Sequence, residues 1–341
     1  MKKKRILSLL VLAPLMLLGG CSTATTFGLS GNWFSNVSTK IIPADFEETL
    51  EYAVSYERSS SSLKGQFIVD YQGGTYSVKF TGGATEDGQK TYVYTTELRM
   101  NVQYTLKDKA GTVLEKSTVI EDVVSTRVEF LDTANELKPL KSTYEAHTTI
   151  PDATPSTPKA TLAACYLKEN YIREISYNHE EQKATFNLTY FTADGKKDNT
   201  KNNIENKKIK IKCKGLFFDN EQLIPMLRAA ELSSSMAIYT IDPITRSLEK
   251  LSVKDGPTAV TLTQSVQLAA DTEPVERTFN VHEIGIAYGK PNSGGTQTFT
   301  IVQRGVPDSN TYRNVCLKYS YPVINSHGTL TYTLTKANFY S

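Results

Sequence analysis

Four histidines (His147, His179, His282, His327) and four cysteines (Cys21, Cys165, Cys213, Cys316) are the residues best suited to metal or nucleophilic chemistry. Their spacing serves neither. No two histidines stand at metal-ligand spacing and there is no His-Glu-x-x-His. His282 and Glu283 are adjacent, which on a strand turns them to opposite faces. No Gly-x-Ser-x-Gly elbow is present, and Ser293 in Pro291-Asn292-Ser293-Gly294-Gly295 reads as a hairpin turn. Gly82-Gly83 and Gly294-Gly295 lack the following Lys-Ser or helix that a phosphate cradle needs. Cys213 shares its face with Ile209 and Ile211, as a small core residue of a strand would. With 36 acidic residues, carboxylate pairs arise by number alone and single out no site. No catalytic residue, metal ligand or cofactor site is assigned.

Cys21 has a different chemistry. Lys2, Lys3, Lys4 and Arg5 precede an apolar run from Ile6 to Leu18, then Gly19 and Gly20. A basic start, a short greasy middle and small residues before a cut describe a signal peptide. The run is too short for a spanning helix, which needs about 20 apolar residues. Leu18-Gly19-Gly20-Cys21 resembles the lipobox of bacterial lipoproteins. That resemblance implies a diacylglyceryl group on the Cys21 sulfur and cleavage before it, leaving Cys21 as the lipidated first residue. Two or more acyl chains anchor stably where one is marginal. The implied location is the extracytoplasmic side of a bacterial envelope membrane. The implied membrane contact is the lipid on Cys21.

Removing residues 1–20 from 341 leaves 321, enough for one large β domain or two ordinary ones. The leader carries four of the 38 basic residues, so 34 remain against 36 acidic ones, a balance of −2. A near-neutral chain gives no argument for nucleic acid as a partner. With Cys21 acylated, three widely spaced cysteines remain, which is no disulfide framework; three buried thiols are favoured over one pair and a free thiol.

These residues are carried by strands. Residues 21–40 form the lipidated cysteine and a flexible tether, interrupted by Trp33-Phe34, whose rings are expected to pack on the domain. Residues 41–341 form the folded domain. Asp45 and Glu48 have capping-box spacing and predict a helical turn. Leu50, Tyr52, Val54 and Tyr56 then alternate with polar residues, and Tyr76, Val78 and Phe80 repeat this after Gly73-Gly74. The longest alternation puts Tyr92, Tyr94, Leu98, Met100, Val102, Tyr104 and Leu106 on one face, with Thr96 out of step. A strand so far beyond the usual five or six residues must twist and curl. The expected fold is therefore mainly β, a large curved antiparallel sheet or incomplete barrel. One capping helix is predicted over 220–231, with Asp219 as N-cap, Gln222 completing a capping box, an apolar stripe of Leu223, Leu227 and Ala230, and Pro225 disturbing the first turn. Residues 150–160 hold three prolines and read as a domain boundary or a crossover within one sheet; the strand pattern on both sides favours the crossover.

Three segments resemble a group of uncharacterised bacterial envelope proteins: Glu48-Thr49-Leu50-Glu51-Tyr52-Ala53-Val54, Phe218-Asp219-Asn220-Glu221-Gln222-Leu223 with Leu227-Arg228, and Leu317-Lys318-Tyr319 with Gly328 to Leu334. The resemblance implies a curved antiparallel half-barrel, similar in shape to lipoprotein-carrier folds. It transfers no functional residue. The candidate ligand face is the tyrosine-rich inner face, Tyr92, Tyr94, Leu98, Met100 and Tyr104, facing an apolar or lipid-like small molecule. Three functions stay open. A deep cavity behind that face favours a binding protein. A filled core with Lys208, Lys210, Lys212 and Lys214 exposed favours an interaction protein engaging an envelope polymer, although such lysines also serve simply to discourage edge-to-edge pairing. A pocket gathering a histidine, a carboxylate and a cysteine or serine favours a hydrolase.

Overall fold

The computed structural model describes residues 28–29, 47–84, 90–133, 136–231, 238–255, 260–288, 296–302 and 314–339. The leader, Cys21, Asp45 and Trp33-Phe34 lie outside them. In chain order the strands are β1 (Gly28–Leu29), β2 (Glu47–Arg58), β3 (Phe67–Ala84), β4 (Lys90–Lys107), β5 (Val113–Lys116), β6 (Ile120–Thr133) and β7 (Glu136–Pro151). Next come β8 (Tyr166–Asn178), β9 (Lys183–Tyr190), β10 (Ile204–Lys210), β11 (Leu216–Phe217), β12 (Ala230–Glu231) and β13 (Ile238–Asp242). The last six are β14 (Ser247–Asp255), β15 (Val260–Leu268), β16 (Val275–Tyr288), β17 (Thr296–Val302), β18 (Cys316–Val323) and β19 (Gly328–Asn338). Three short α-helices intervene: α1 (Ser60–Leu63), α2 (Leu162–Cys165) and α3 (Leu223–Ala229).

The protein is mainly β. Strands β15 to β19 close a ring, antiparallel from each to the next and sealed by a parallel pairing of β15 with β19 at Gln267–Lys336 and Leu268–Ala337. From β19 the sheet runs on antiparallel through β2, β3, β4, β6, β7, β8, β9 and β10. Strand β14 extends the β16 edge, and β13 and β11 follow it. The two-residue β1 pairs with β12.

The length of β4 sets the curvature, and its alternation sets the inside. Tyr92, Tyr94, Met100, Val102, Tyr104 and Leu106 are buried and Leu98 is half-buried on one face. Thr96 belongs to that face as well: it is buried, and its hydroxyl meets that of Thr126 at 2.7 Å, so the polar step is satisfied inside. Strand β3 starts earlier than Gly73-Gly74 suggests. The glycines sit at a bulge between Tyr71 and Gly74, inside one 18-residue strand. A Cβ on Gly74 would lie 2.4 Å from the Arg99 carbonyl oxygen, so only glycine lets the two backbones approach there.

Three local expectations change. Glu48 is in β2, not in a helical turn, because its buried carboxylate pairs with Arg228 of α3. The helix is shorter than 220–231. Residues Asn220–Gln222 make a 3₁₀ turn, α3 follows, and Ala230 already belongs to β12. Pro225 falls in the first turn of α3, where its missing N–H leaves no hydrogen bond unmade. All seven α3 residues are buried, so it is a plug rather than a one-sided stripe. The proline-rich segment joins β7 to β8, which are neighbours paired as far as Pro151–Tyr166. It is a long hairpin connection, not a crossover.

Candidate functional site

At one end of the curved sheet, α3 packs against β18, and the turn before it against β6 and β13. The Asp219 carboxylate accepts from the Glu221 amide at 2.8 Å, and Gln222 closes the capping box by accepting from the Asp219 amide at 3.3 Å. Asp219 also accepts from the Ser142 and Tyr177 hydroxyls of β7 and β8, which ties the turn to the sheet. Arg228 grips Glu48 through two nitrogens, Nη2 to Oε2 at 3.0 Å, and lies 5.8 Å from the Phe339 ring centroid. Burial pushes the Glu48 carboxyl up against the pull of that guanidinium.

At the other end, the β7–β8 connection folds over the strand ends. The Pro155 carbonyl accepts from the amides of Gln66 and Phe67. Leu162, Cys165 and Ala153 join the core, and Tyr166 stacks on Tyr104 with centroids 4.2 Å apart. His327 is buried here, its Nε2 2.8 Å from the Ala153 carbonyl, and burial holds its pKa below the usual histidine range.

A trough of about 1140 Å³ opens among β2, β4, β6, β7, β18 and β19. Leu98, Met100, Val124, Ile150 and Leu330 supply apolar wall, and Tyr71, Tyr144, Tyr171 and Tyr321 present rings. Its rim carries Ile244 and Ile324, which are 70% and 55% exposed. Two carboxyls line it, Glu57 exposed and Asp122 buried. Asp122 stands opposite Met100 across the β4–β6 ladder and is 4% exposed. It accepts from the Thr149 amide at 2.9 Å and from the Thr149 hydroxyl at 3.0 Å, and that hydroxyl in turn accepts from Tyr104 at 2.9 Å. Burial pushes Asp122 up to about 7 against these hydrogen bonds.

The five residues expected to line a ligand face divide. Leu98 and Met100 line the trough. Tyr92, Tyr94 and Tyr104 lie on the same face but are buried in core at 2%, 1% and 0% exposure, against Phe130, Phe80 and Tyr166 respectively. Many other tyrosines are core too: Tyr319 stacks on Tyr332 at 4.2 Å, and Tyr52 and Tyr76 pack edge-on around them. The residues that sequence reasoning missed are Asp122, Tyr71, Tyr144, Tyr171 and Tyr321. For Asp122 a signal exists. Alternation from Ile120 through Asp122 to Val124 places an acid on the inward face of β6.

A second, smaller pocket of about 180 Å³ gathers His179, Glu136 and Cys213. Its groups are not poised for nucleophilic attack. Burial raises the Cys213 thiol, which donates to the Gly215 carbonyl, and His179 Nε2 is engaged with the Pro139 carbonyl at 2.6 Å. Cys165, Cys213 and Cys316 are free; Cys165 and Cys316 are buried and Cys213 is half-buried. Among the described residues no three His, Cys, Asp or Glu side chains are grouped to hold a metal ion.

No family model matches the chain, and no curated protein matches it. Among solved structures it is similar to a beta-barrel-like protein of the domain of unknown function DUF1849 from Brucella abortus, at 13% identity and a TM-score of 0.40. That match covers 88% of this chain and all of the other.

Proposed function

We propose that the protein is a lipid-anchored envelope protein whose trough carries an apolar or amphipathic small molecule. The observation that carries this reading is the trough itself. Ligand pockets run to about 300–1,000 Å³; this trough is slightly larger, and its wall mixes apolar side chains and tyrosine rings with polar groups such as Glu57, Arg58, Asp122 and Asn325. The exposed isoleucines at the rim suit the entry of an apolar chain. The anchor rests on Leu18-Gly19-Gly20-Cys21 and its leader.

One preparation tests both parts. Cys21→Ala should move the protein from the membrane to the soluble fraction. Organic extraction of that soluble protein should release about one apolar molecule per chain by mass spectrometry. Val124→Trp, which fills the trough from its wall, should remove that molecule while the melting temperature holds. An empty, stable protein that also takes up no long-chain probe overturns the binding reading.

A second reading has its own observation. Lys207, Lys208, Lys210, Lys212 and Lys214 are all exposed, on β10 and just beyond it. That stripe suits an anionic envelope polymer, and it becomes the leading reading if the trough proves empty.

A further inference from the structure

We infer that the trough selects a ligand with an alkylammonium head, held by the Asp122 carboxylate and faced by the rings of Tyr71 and Tyr321. This deepens the binding reading and rests on it. Asp122 is a buried acid with no basic partner among the described residues: its only contacts are the Thr149 amide and hydroxyl. The Thr149 hydroxyl has one proton to divide between Oδ1 at 3.0 Å and Oδ2 at 3.2 Å. An ionised carboxylate can accept about four hydrogen bonds, so acceptor capacity is left over on the side of the trough. Buried charge without a counter-ion is costly, and structures normally pair it.

The surroundings decide the sign of the missing partner. Arg58, the one cation among the described residues lining the trough, is held by Asp70 at 2.6 Å. Arg173, near Tyr144, is held by Glu221 and sits 4.5 Å from the Tyr144 ring centroid. An anionic head would therefore meet Asp122 as a like charge with no free cation beside it. An ammonium head would gain the carboxylate and the negative faces of tyrosine rings together. Leu98, Met100, Val124 and Leu330 leave room for its chain.

The titratable groups facing Asp122 are Tyr71 from β3, Tyr104 from β4 and Tyr321 from β18; from β7 the facing residue is Thr149, which does not titrate. Burial raises all three tyrosines, so they stay neutral near pH 7, and of these four groups Asp122 is the one that changes charge there; Glu57 and Arg58 also line the trough. An ammonium ligand binds its ionised form. Affinity then rises with pH through about 7 and levels off above it. A ligand that needed the protonated acid as donor would show the opposite slope.

The test is calorimetric titration of the full chain carrying Cys21→Ala with dodecylammonium, dodecanol and dodecanoate, each below its aggregation concentration, at pH 5 and pH 8. The expected order at pH 8 is the cation about tenfold or more tighter than dodecanol, with dodecanoate weakest. The cation's advantage should shrink at pH 5. Asp122→Asn keeps an acceptor for Thr149 and should abolish the cation's advantage over dodecanol. Tyr321→Leu should reduce it in part. If dodecanol binds but the cation gains nothing over it, or if Asp122→Asn leaves the preference in place, the ammonium proposal is wrong and the trough reading stands. If no probe binds, both fall.

Discussion

Arg228 and Glu48 show how much a single buried pair can hold in this fold. The two side chains are 2% and 0% exposed and join α3 to the first turn-length of β2, across 180 positions of sequence. Burying two charges costs more than their attraction returns, so the pair is not expected to outperform an apolar replacement. Breaking it is another matter, because one charge is then stranded. Glu48→Ala is expected to cost about 3–5 kcal/mol in urea unfolding. The double change Glu48→Leu with Arg228→Met should lose far less than the single one. Equal losses from the single and double variants would mean that packing around α3, and not the stranded charge, sets the penalty.

Among the elements, the turn into α3 is tied down from several sides. Asp219 caps it, Gln222 closes the box and donates to the Leu137 carbonyl at 3.1 Å, and Ser142 and Tyr177 both donate to Asp219. Losing an N-cap side chain usually costs about 1 kcal/mol. Here Asp219→Ala also strands two buried hydroxyls, so its cost should exceed that of Asp219→Asn by about 1–3 kcal/mol. Equal melting temperatures for the two variants would count against the carboxylate as the tie between turn and sheet. This capping was legible in the sequence because it depends on residues three apart. The β4 face was legible for the same reason: alternation is a local signal, and Tyr92 to Leu106 carry it for fifteen residues. What alternation cannot say is whether an inward residue meets a plug or a void. That depends on what packs over the face from distant parts of the chain, as Tyr166 does on Tyr104. Tyr92, Tyr94 and Tyr104 lie on the face that the alternation marks and are closed over by core. Glu48 misled for a related reason: its spacing from Asp45 is a local signal, and its partner Arg228 is not.

At the scale of the molecule, the architecture depends on its last strand. β19 pairs with β2 over Gly328–Asn338, with β18 along its first half, and with β15 at Lys336 and Ala337. It is therefore both the seam that closes the ring and the join between the ring and the long meander that forms the trough. Leu330 and Gly328 of this strand also line the trough, and Tyr332 stacks on Tyr319 beneath it. Such pairing of the chain's end with its beginning requires loop closure before contacts repay it, which makes folding slow and cooperative late. Deleting residues 328–341 removes one member of each of three pairings and exposes the edges of β2, β15 and β18 at once. The truncated chain is expected to show no cooperative urea transition and to aggregate through those edges. A truncated chain that still unfolds cooperatively, and still binds a long-chain probe, would mean that the meander β2 to β10 folds alone. The ring would then be an addition to the trough and not its support.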